Sequence, residues 1–342
     1  MKDRPVNETH LAACDDGPNY DDIVDYVVRS THRIWEEKAV GLIYTHYRHN
    51  CSVHTAYGLT RGREQVVAGT VQSLAAFPDH KLFADDVIWT GDDRAGYHTS
   101  HLFMSVAHNT GYSAYGSPTG RRVVSRVIAN RFVVNDVICE EWQVRDELAV
   151  VRQLGIDEHE AVERLTRYDS ARRVSPPSPG SVERGVGQLA PDIMPPKTGE
   201  GFDVEDFVRR SFHEIWNWRL FNKIKEYYSP AFIFHGPSGR HTHGLDDFSA
   251  YVISLLAAFP DARIDVDHIY WLDDAGNDYR VATRWTLTGT HEGPSVYGDP
   301  TGRRVSIMGI SHHRIKGGRF VEEWTVFDEL ALLQQLWAPV AS

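Results

Sequence analysis

Two aspartates, Asp146 and Asp328, each stand four residues after a tryptophan, Trp142 and Trp324, within runs that read Glu-Glu-Trp-x-x-x-Asp-Glu-Leu-Ala. Alternate side chains of a strand share a face, so each aspartate is expected to point the same way as its tryptophan. Burial against aromatic and apolar groups penalises the charged carboxylate, raises its pKa and makes it a general base for a proton next to a carbonyl. The competing role is a helix N-cap, since Glu329-Leu330-Ala331-Leu332 reads as a helix start and aspartate is a favoured cap. Histidine is the second signal. A two-residue Gly317-Gly318 turn pairs His313 with Glu322 and brings His313 to the face of Trp324 and Asp328; a slip of one residue brings His312 there instead. His235 follows the apolar run Ala231 to Phe234 and is placed to face the same cavity, with His54 as its first-half counterpart. Such a histidine either donates to a substrate carbonyl and steadies an enolate, or is a satisfied structural residue. Trp324, Trp285, Tyr270 and Phe234 are candidates for an apolar wall or for the core behind it. Trp142, His54 and His101 are the corresponding binding candidates in the first half.

A repeated unit must position these groups. Leu74-Ala75-Ala76-Phe77-Pro78-Asp79 returns as Leu256-Ala257-Ala258-Phe259-Pro260-Asp261, Pro118-Thr119-Gly120-Arg121 as Pro300-Thr301-Gly302-Arg303, and Glu140-Glu141-Trp142 as Glu322-Glu323-Trp324. Each pair is 182 positions apart (256 − 74), whereas Trp35 and Trp216 are 181 apart. The second half has therefore gained one residue, and the turn Pro237-Ser238-Gly239 after His235 is where it fits. A period this long means duplicated domains. The organisation that follows is an N-terminal tail 1–19, a first domain 20–173, a proline-rich linker 174–200 and a second domain 201–342. Asp157 to Arg173 reads as a charged, solvated helix closing the first domain.

Within each copy helices precede strands. Ile23, Val27, Val28, Ile34 and Trp35 fall at helical spacing, as do Val204, Phe207, Val208, Phe212, Ile215 and Trp216. A short helix is expected near Phe221 to Tyr228, and another near Asp246 to Phe259 that stops at Pro260. Ile264 to Trp271, Tyr279 to Thr290, Arg304 to Ile315 and Arg319 to Phe327 read as strands. The expected class is α+β: two tandem cone-shaped barrel domains, each a curved, mainly antiparallel sheet with N-terminal helices, whose inside suits a small apolar ligand. Two such copies would pack as an intramolecular pseudo-dimer, with further homo-oligomers open to it.

Composition narrows the partners. A net charge of −11 argues against nucleic acid and anionic membrane surfaces, and no apolar run approaches a membrane span. The first residues lack the apolar core of a secretory signal, and three cysteines without CxxC spacing indicate reduced thiols in a cytoplasmic protein. His241-x-His243 lacks a carboxylate or cysteine partner, and neighbours such as His312 and His313 face opposite sides of a strand, so no metal site is expected. Serine-hydrolase elbows, P-loops and dinucleotide fingerprints are absent from the sequence.

The order of landmarks resembles the SnoaL-like polyketide cyclases of the nuclear-transport-factor-2 (ketosteroid-isomerase-like) superfamily. It runs from an amphipathic first helix through Phe-Pro-Asp, Gly289-Thr290-His291-Glu292-Gly293, Pro-Thr-Gly-Arg and Glu-Glu-Trp-x-x-x-Asp to the tail Leu332-Leu333-Gln334-Gln335-Leu336. That resemblance implies intramolecular aldol-type cyclisation or isomerisation of a small apolar carbonyl compound, without metal or organic cofactor, with Asp146 and Asp328 as acid/base residues. The alternatives within the same fold are a non-catalytic ligand-binding or assembly module, and a hydrolase or dehydratase using the same carboxylate. The second half keeps more of the pattern: His312-His313 stand where the first half has Asn130-Arg131, and Thr283-Arg284-Trp285 where it has His101-Leu102-Phe103. The second domain is thus the expected working copy.

Overall fold

Each half begins with a helix that an aspartate caps. Asp22 accepts the Asp25 N–H at 2.8 Å ahead of α1 (Ile23–Trp35), and Asp203 accepts that of Asp206 at 3.0 Å ahead of α6 (Val204–Phe212), each satisfying a donor the first turn leaves orphaned. In this computed structural model, residues 20–168, 194–195, 201–276 and 278–339 are described; the expected tail and almost all of the linker lie outside the described residues. The first half continues through α2 (Ile43–His46), β1 (Tyr47–Thr55), β2 (Gly58–Arg61), α3 (Arg63–Ala76), β3 (Lys81–Asp92), β4 (Gly96–His108), β5 (Arg122–Val134), β6 (Val137–Arg145), α4 (Glu147–Leu154) and α5 (Glu158–Tyr168). The second repeats the order with α7 (Ile224–Tyr227), β7 (Tyr228–His235), β8 (His241–His243), α8 (Leu245–Ala258), β9 (Arg263–Asp273), β10 (Tyr279–Thr290), β11 (Arg304–Lys316), β12 (Arg319–Phe327) and α9 (Glu329–Trp337). The α+β class and its repetition are as expected.

Each half holds one six-stranded sheet, in the orders β2-β1-β6-β5-β4-β3 and β8-β7-β12-β11-β10-β9. All pairings are antiparallel except β1 with β6 and β7 with β12, where the first long strand returns beside the last. The sheets curve around the helices without closing into barrels, leaving β2, β3, β8 and β9 as edges.

The repeated motifs are joints. α3 and α8 end just before Pro78 and Pro260, and the next aspartate pins the end of the long hairpin. Asp79 accepts the His108 N–H at 2.7 Å, and Asp261 accepts the N–H and hydroxyl of Thr290 at 2.5 and 2.8 Å. Gly111 and Gly293 follow at the same place in each copy, where a Cβ would come within 1.9 and 1.8 Å of the Ala75 and Ala257 carbonyl oxygens. Only glycine lets the loop approach the helix end this closely.

The outer faces of the two sheets pack on each other. β3 meets β9, β5 meets β12 and β6 meets β11, the reciprocal pattern of a two-fold. Leu102, Ile128 and Val144 of the first sheet bury against Ile310 and Val326 of the second, flanked by Trp142 and Trp324. The Arg284 guanidinium lies 3.9 Å from the centre of the Trp142 ring, and Arg280 pairs with Asp86 at 2.5 Å. His312 Nε2 lies 2.7 Å from Ser100 Oγ, which donates to Asn130 Oδ1 at 2.6 Å. Asn130 and His312, which hold matching positions in the two copies, are thus joined through Ser100 at the domain boundary.

Helix α5 departs from its solvated reading. Its Ala161, Val162 and Leu165 are buried in one core with α4 and α9. Thr166 accepts a bond from Gln334 Nε2 at 3.2 Å, and His159 stacks on Trp337 with ring centres 3.9 Å apart. A charged face hid an apolar stripe that the second domain covers.

Candidate functional site

The last hairpin of the second domain decides which side chains look inward. Its turn is the expected Gly317-Gly318, both at positive φ, with Lys316 opposite Arg319. A bulge at Val321 then shifts the ladder, so His313 faces Glu323, not Glu322, and His312 faces Trp324. His313 is therefore on the inner face, with Nδ1 3.1 Å from Glu323 Oε2, while Trp324 is on the outer face against the other domain. His235 stacks on Trp324 at 5.1 Å and bonds Glu322 at 3.0 Å, and His54 stacks on Trp142 at 5.2 Å and bonds Glu140 at 2.7 Å. Tyr270 packs with Ile88 and Ala282 between the domains. Thus Trp324, Trp142, His235, His54 and Tyr270 are placed at the outer faces, and only His313, Phe234 and Trp285 of the second-domain set point inward. The expected convergence of Asp328, His313 and His235 on one molecule does not occur.

What those inward residues surround is nearly full. The space among Phe212, Trp216, Phe234, Tyr251, Trp285 and Phe327 is about 20 Å³, room for roughly one water. The Trp285 indole lies over Gly309, where a Cβ would come within 2.2 Å of the ring, and its Nε1 donates to Ser311 Oγ at 3.0 Å. His313, Glu323, Thr325 and Ser311 form a buried polar chain.

The first domain encloses about 720 Å³ instead. Matched by the repeat, the difference is a set of large-for-small replacements. Phe212, Phe234, Tyr251, Leu255 and Ile307 of the second domain correspond to Thr31, Val53, Gly69, Ser73 and Ser125 of the first, which all line its cavity. The working-copy expectation is reversed as far as space for a ligand goes.

Polar groups enter this cavity along the inner edge of β6, at the alternate positions Glu141, Gln143 and Arg145. Glu141 is buried. Its Oε2 accepts the Tyr47 hydroxyl at 2.6 Å and lies 3.6 Å from Arg131 Nε, while Arg131 also donates to Thr31 Oγ1 at 3.2 Å. Burial pushes the Tyr47 phenol well up, aided by the Glu141 charge, so Tyr47 stays a donor. Glu141 Oε1 receives only a long 3.5 Å contact from Gln143, whose own Oε1 accepts Arg145 Nε at 3.0 Å. His80, before β3, also lines the cavity; its Nδ1 is 3.0 Å from Ser105 Oγ. Burial and the nearby Arg145 charge bring its pKa down to about 4, so the imidazole is neutral at physiological pH. The second domain has Thr325, Phe327 and Ala262 in place of Gln143, Arg145 and His80. His101 is buried in the first domain beside Phe103, which lines the cavity, but does not line it itself.

The two aspartates flanking the C-terminal helices cross the domain boundary. Asp328 caps α9, accepting the Ala331 N–H at 3.0 Å, and also lines the cavity of the first domain. Asp146 accepts the Ser238 N–H of the second domain at 2.7 Å, in the loop that carries the inserted residue. That loop also closes on the second domain's own buried Glu329, through Arg240 at 2.6 Å and Ser238 Oγ. Burial, with the neighbouring Glu329 charge, pushes the Asp146 carboxyl up to about 6 despite the Ser238 N–H. Its ordinary value is 3.8. Between these values the folded state holds a proton that the unfolded state has released, so stability falls as pH rises through that window. Asp146→Asn should accordingly stabilise the protein by about 2–3 kcal/mol at pH 7.5, a gain that shrinks as pH approaches 4. Urea midpoints at the two pH values check this; a gain independent of pH would remove the titration from the account.

Glu141, Arg145, His80 and Tyr47 were not among the residues singled out from the sequence. Glu141 stands in the sequence only as part of the repeated Glu-Glu-Trp landmark; the usable signal is that Arg145 and His80 are polar where the other copy has Phe327 and Ala262. Among the described residues no group of three His, Cys, Asp or Glu is arranged to hold a metal ion, and no helix is long and apolar enough to cross a membrane.

The sequence profile of the SnoaL-like polyketide cyclases matches residues 25–154 and 206–336, one match in each half. Among solved structures, a protein of Jannaschia sp. CCS1 provisionally assigned as a SnoaL-like polyketide cyclase is 22% identical, over 42% of this chain and 100% of its own, with a TM-score of 0.37. AclR of Streptomyces galilaeus, provisionally a hydroxylase, is 28% identical over 40% of this chain and 84% of its own, with a TM-score of 0.35. IdmH of Streptomyces antibioticus, provisionally a polyketide cyclase, is 26% identical over 39% and 96%, with a TM-score of 0.34. No curated protein matches the chain.

Proposed function

The chain belongs to the SnoaL-like polyketide cyclase family, and from that premise we propose that its first domain catalyses proton abstraction next to a carbonyl, leading to ring closure or isomerisation of a largely apolar, polyketide-like compound. The observation that carries this reading is the asymmetry of the copies: one cavity of about 720 Å³ with a buried carboxylate in its wall, against one of about 20 Å³. Glu141 is the proposed base. Tyr47 and Arg131 hold its Oε2 and leave Oε1 to take the α-proton of the substrate. The enolate oxygen that forms would be stabilised by the amide N–H of Gln143, the donor nearest Glu141 Oε1 on the same stripe. Carbon–carbon bond formation or return of the proton to another carbon completes the reaction, so the chemistry draws on side chains of the chain alone. Asp328 stays in the proposal as a carboxylate that the second domain brings to the cavity of the first, and Asp146 as a residue of the domain junction. A cytoplasmic setting belongs to the same reading, since the described cysteines, Cys51 and Cys139, are both unpaired thiols.

The test is exchange of α-hydrogen for deuterium, followed by NMR, in aryl ketones and β-keto esters incubated with the protein in D₂O. Catalysed exchange that is lost in Glu141→Gln supports the reading. A ligand that binds in the cavity with no exchange on any member of the panel points to the binding-module alternative.

A further inference from the structure

We infer that the substrate of the first-domain cavity carries a carboxylate, held by Arg145 at the far end of the polar stripe from Glu141. The inference rests on reading that cavity as the ligand site and goes on to name the group it recognises. Three carboxylates and three guanidiniums line the cavity, and most are already engaged. Glu141 is met by Tyr47 and Arg131, Glu147 accepts the Tyr115 hydroxyl, and Asp328 caps α9. Arg164 has interactions of its own. Arg145 differs: its Nε is bonded to the neutral Gln143 and its guanidinium lies 5.3 Å from the Trp35 ring centre, but among the described residues it pairs with no carboxylate. A guanidinium fixed through Nε and one aromatic face presents its outer N–H groups as a fork, the geometry that recognises a carboxylate in two parallel bonds. Where the cavity is filled, the same position is Phe327, and no cation is kept.

Position adds a constraint on shape. Gln143 bridges the two groups, its Nε2 3.5 Å from Glu141 Oε1 and its Oε1 accepting Arg145 Nε at 3.0 Å, so a single amide separates the proposed base from the guanidinium. An acid held by the outer N–H groups of Arg145 is therefore a short spacer away from the carbon that Glu141 would deprotonate. The substrate so described is a keto acid with a short apolar spacer, of about one ring, between its acid and its ketone.

A suitable probe is 4-acetylbenzoic acid, with its methyl ester as the uncharged control, titrated calorimetrically into the full chain. The acid should bind about 10–100-fold more tightly than the ester, the range of a charge-assisted contact. Arg145→Gln should abolish that preference with ester affinity unchanged, Arg145→Lys should restore part of it, and Glu141→Gln should leave it in place. Equal affinities in the wild type, a preference that survives Arg145→Gln, or an equal loss for acid and ester would each overturn the inference. An intact acid preference without α-exchange would sink only the proposed chemistry. Exchange without acid preference would sink only this inference.

Discussion

Replacing Gly69 by tyrosine and Ser73 by leucine should remove ligand binding to the chain while leaving its fold intact. These are the residues the second domain carries at the matching positions, Tyr251 and Leu255, and there they help close the space to about 20 Å³. Gly69 and Ser73 are one turn apart on α3, so both new side chains enter the cavity together. A Cβ at Gly69 meets nothing within 4 Å, and removing a glycine from a helix interior is worth roughly 0.5–1 kcal/mol. Binding should fall by roughly 100-fold or more, the equivalent of about 3 kcal/mol of lost apolar burial. Thermal stability should hold or rise. Affinity that survives the double substitution would show that ligands bind elsewhere, and the asymmetry of the copies would lose its functional meaning.

The second large effect is expected at Glu141. Its replacement by glutamine keeps the shape of the side chain but removes the proposed proton acceptor, and α-exchange should fall by about 10²–10⁴-fold. The change also leaves Arg131 buried without its counter-charge, and breaking a buried pair costs about 3–5 kcal/mol. Loss of activity alone would therefore be ambiguous. The double variant Glu141→Gln/Arg131→Gln removes both charges and should recover much of the stability without recovering exchange. If exchange returns with stability, Glu141 is structural and Asp328 becomes the carboxylate to test next.

Most of the fold was legible because it rests on local signals and repetition. The strands expected at Tyr279–Thr290 and Arg319–Phe327 are β10 and β12 to the residue, and the helix expected to stop at Pro260 ends at Ala258. The site was less legible for a definite reason. Both faces of each sheet are buried, one around the inside of the domain and the other under the opposite domain, so a tryptophan on a strand reports burial without saying on which side. Trp324 and His235 read as cavity residues on that ground. The bulge at Val321 then moved the partners of His312 and His313 along by one residue, which no turn rule anticipates. Comparing volumes between the copies was open from the start: Thr31 with Phe212, or Gly69 with Tyr251, already marks which half is hollow.

The reciprocal packing of the two sheets has a hereditary consequence. In an assembly of two identical subunits, a single codon writes both sides of the axis, so a tyrosine that closes one chamber closes its twin. Here the matching positions are separate codons, 69 and 251, joined in one reading frame. One half was thereby free to exchange hollow space for packing, and the other to keep its chamber, without either losing the neighbour that its outer face requires. Mutations that would extinguish a symmetric pair are confined in this chain to one of its two lobes.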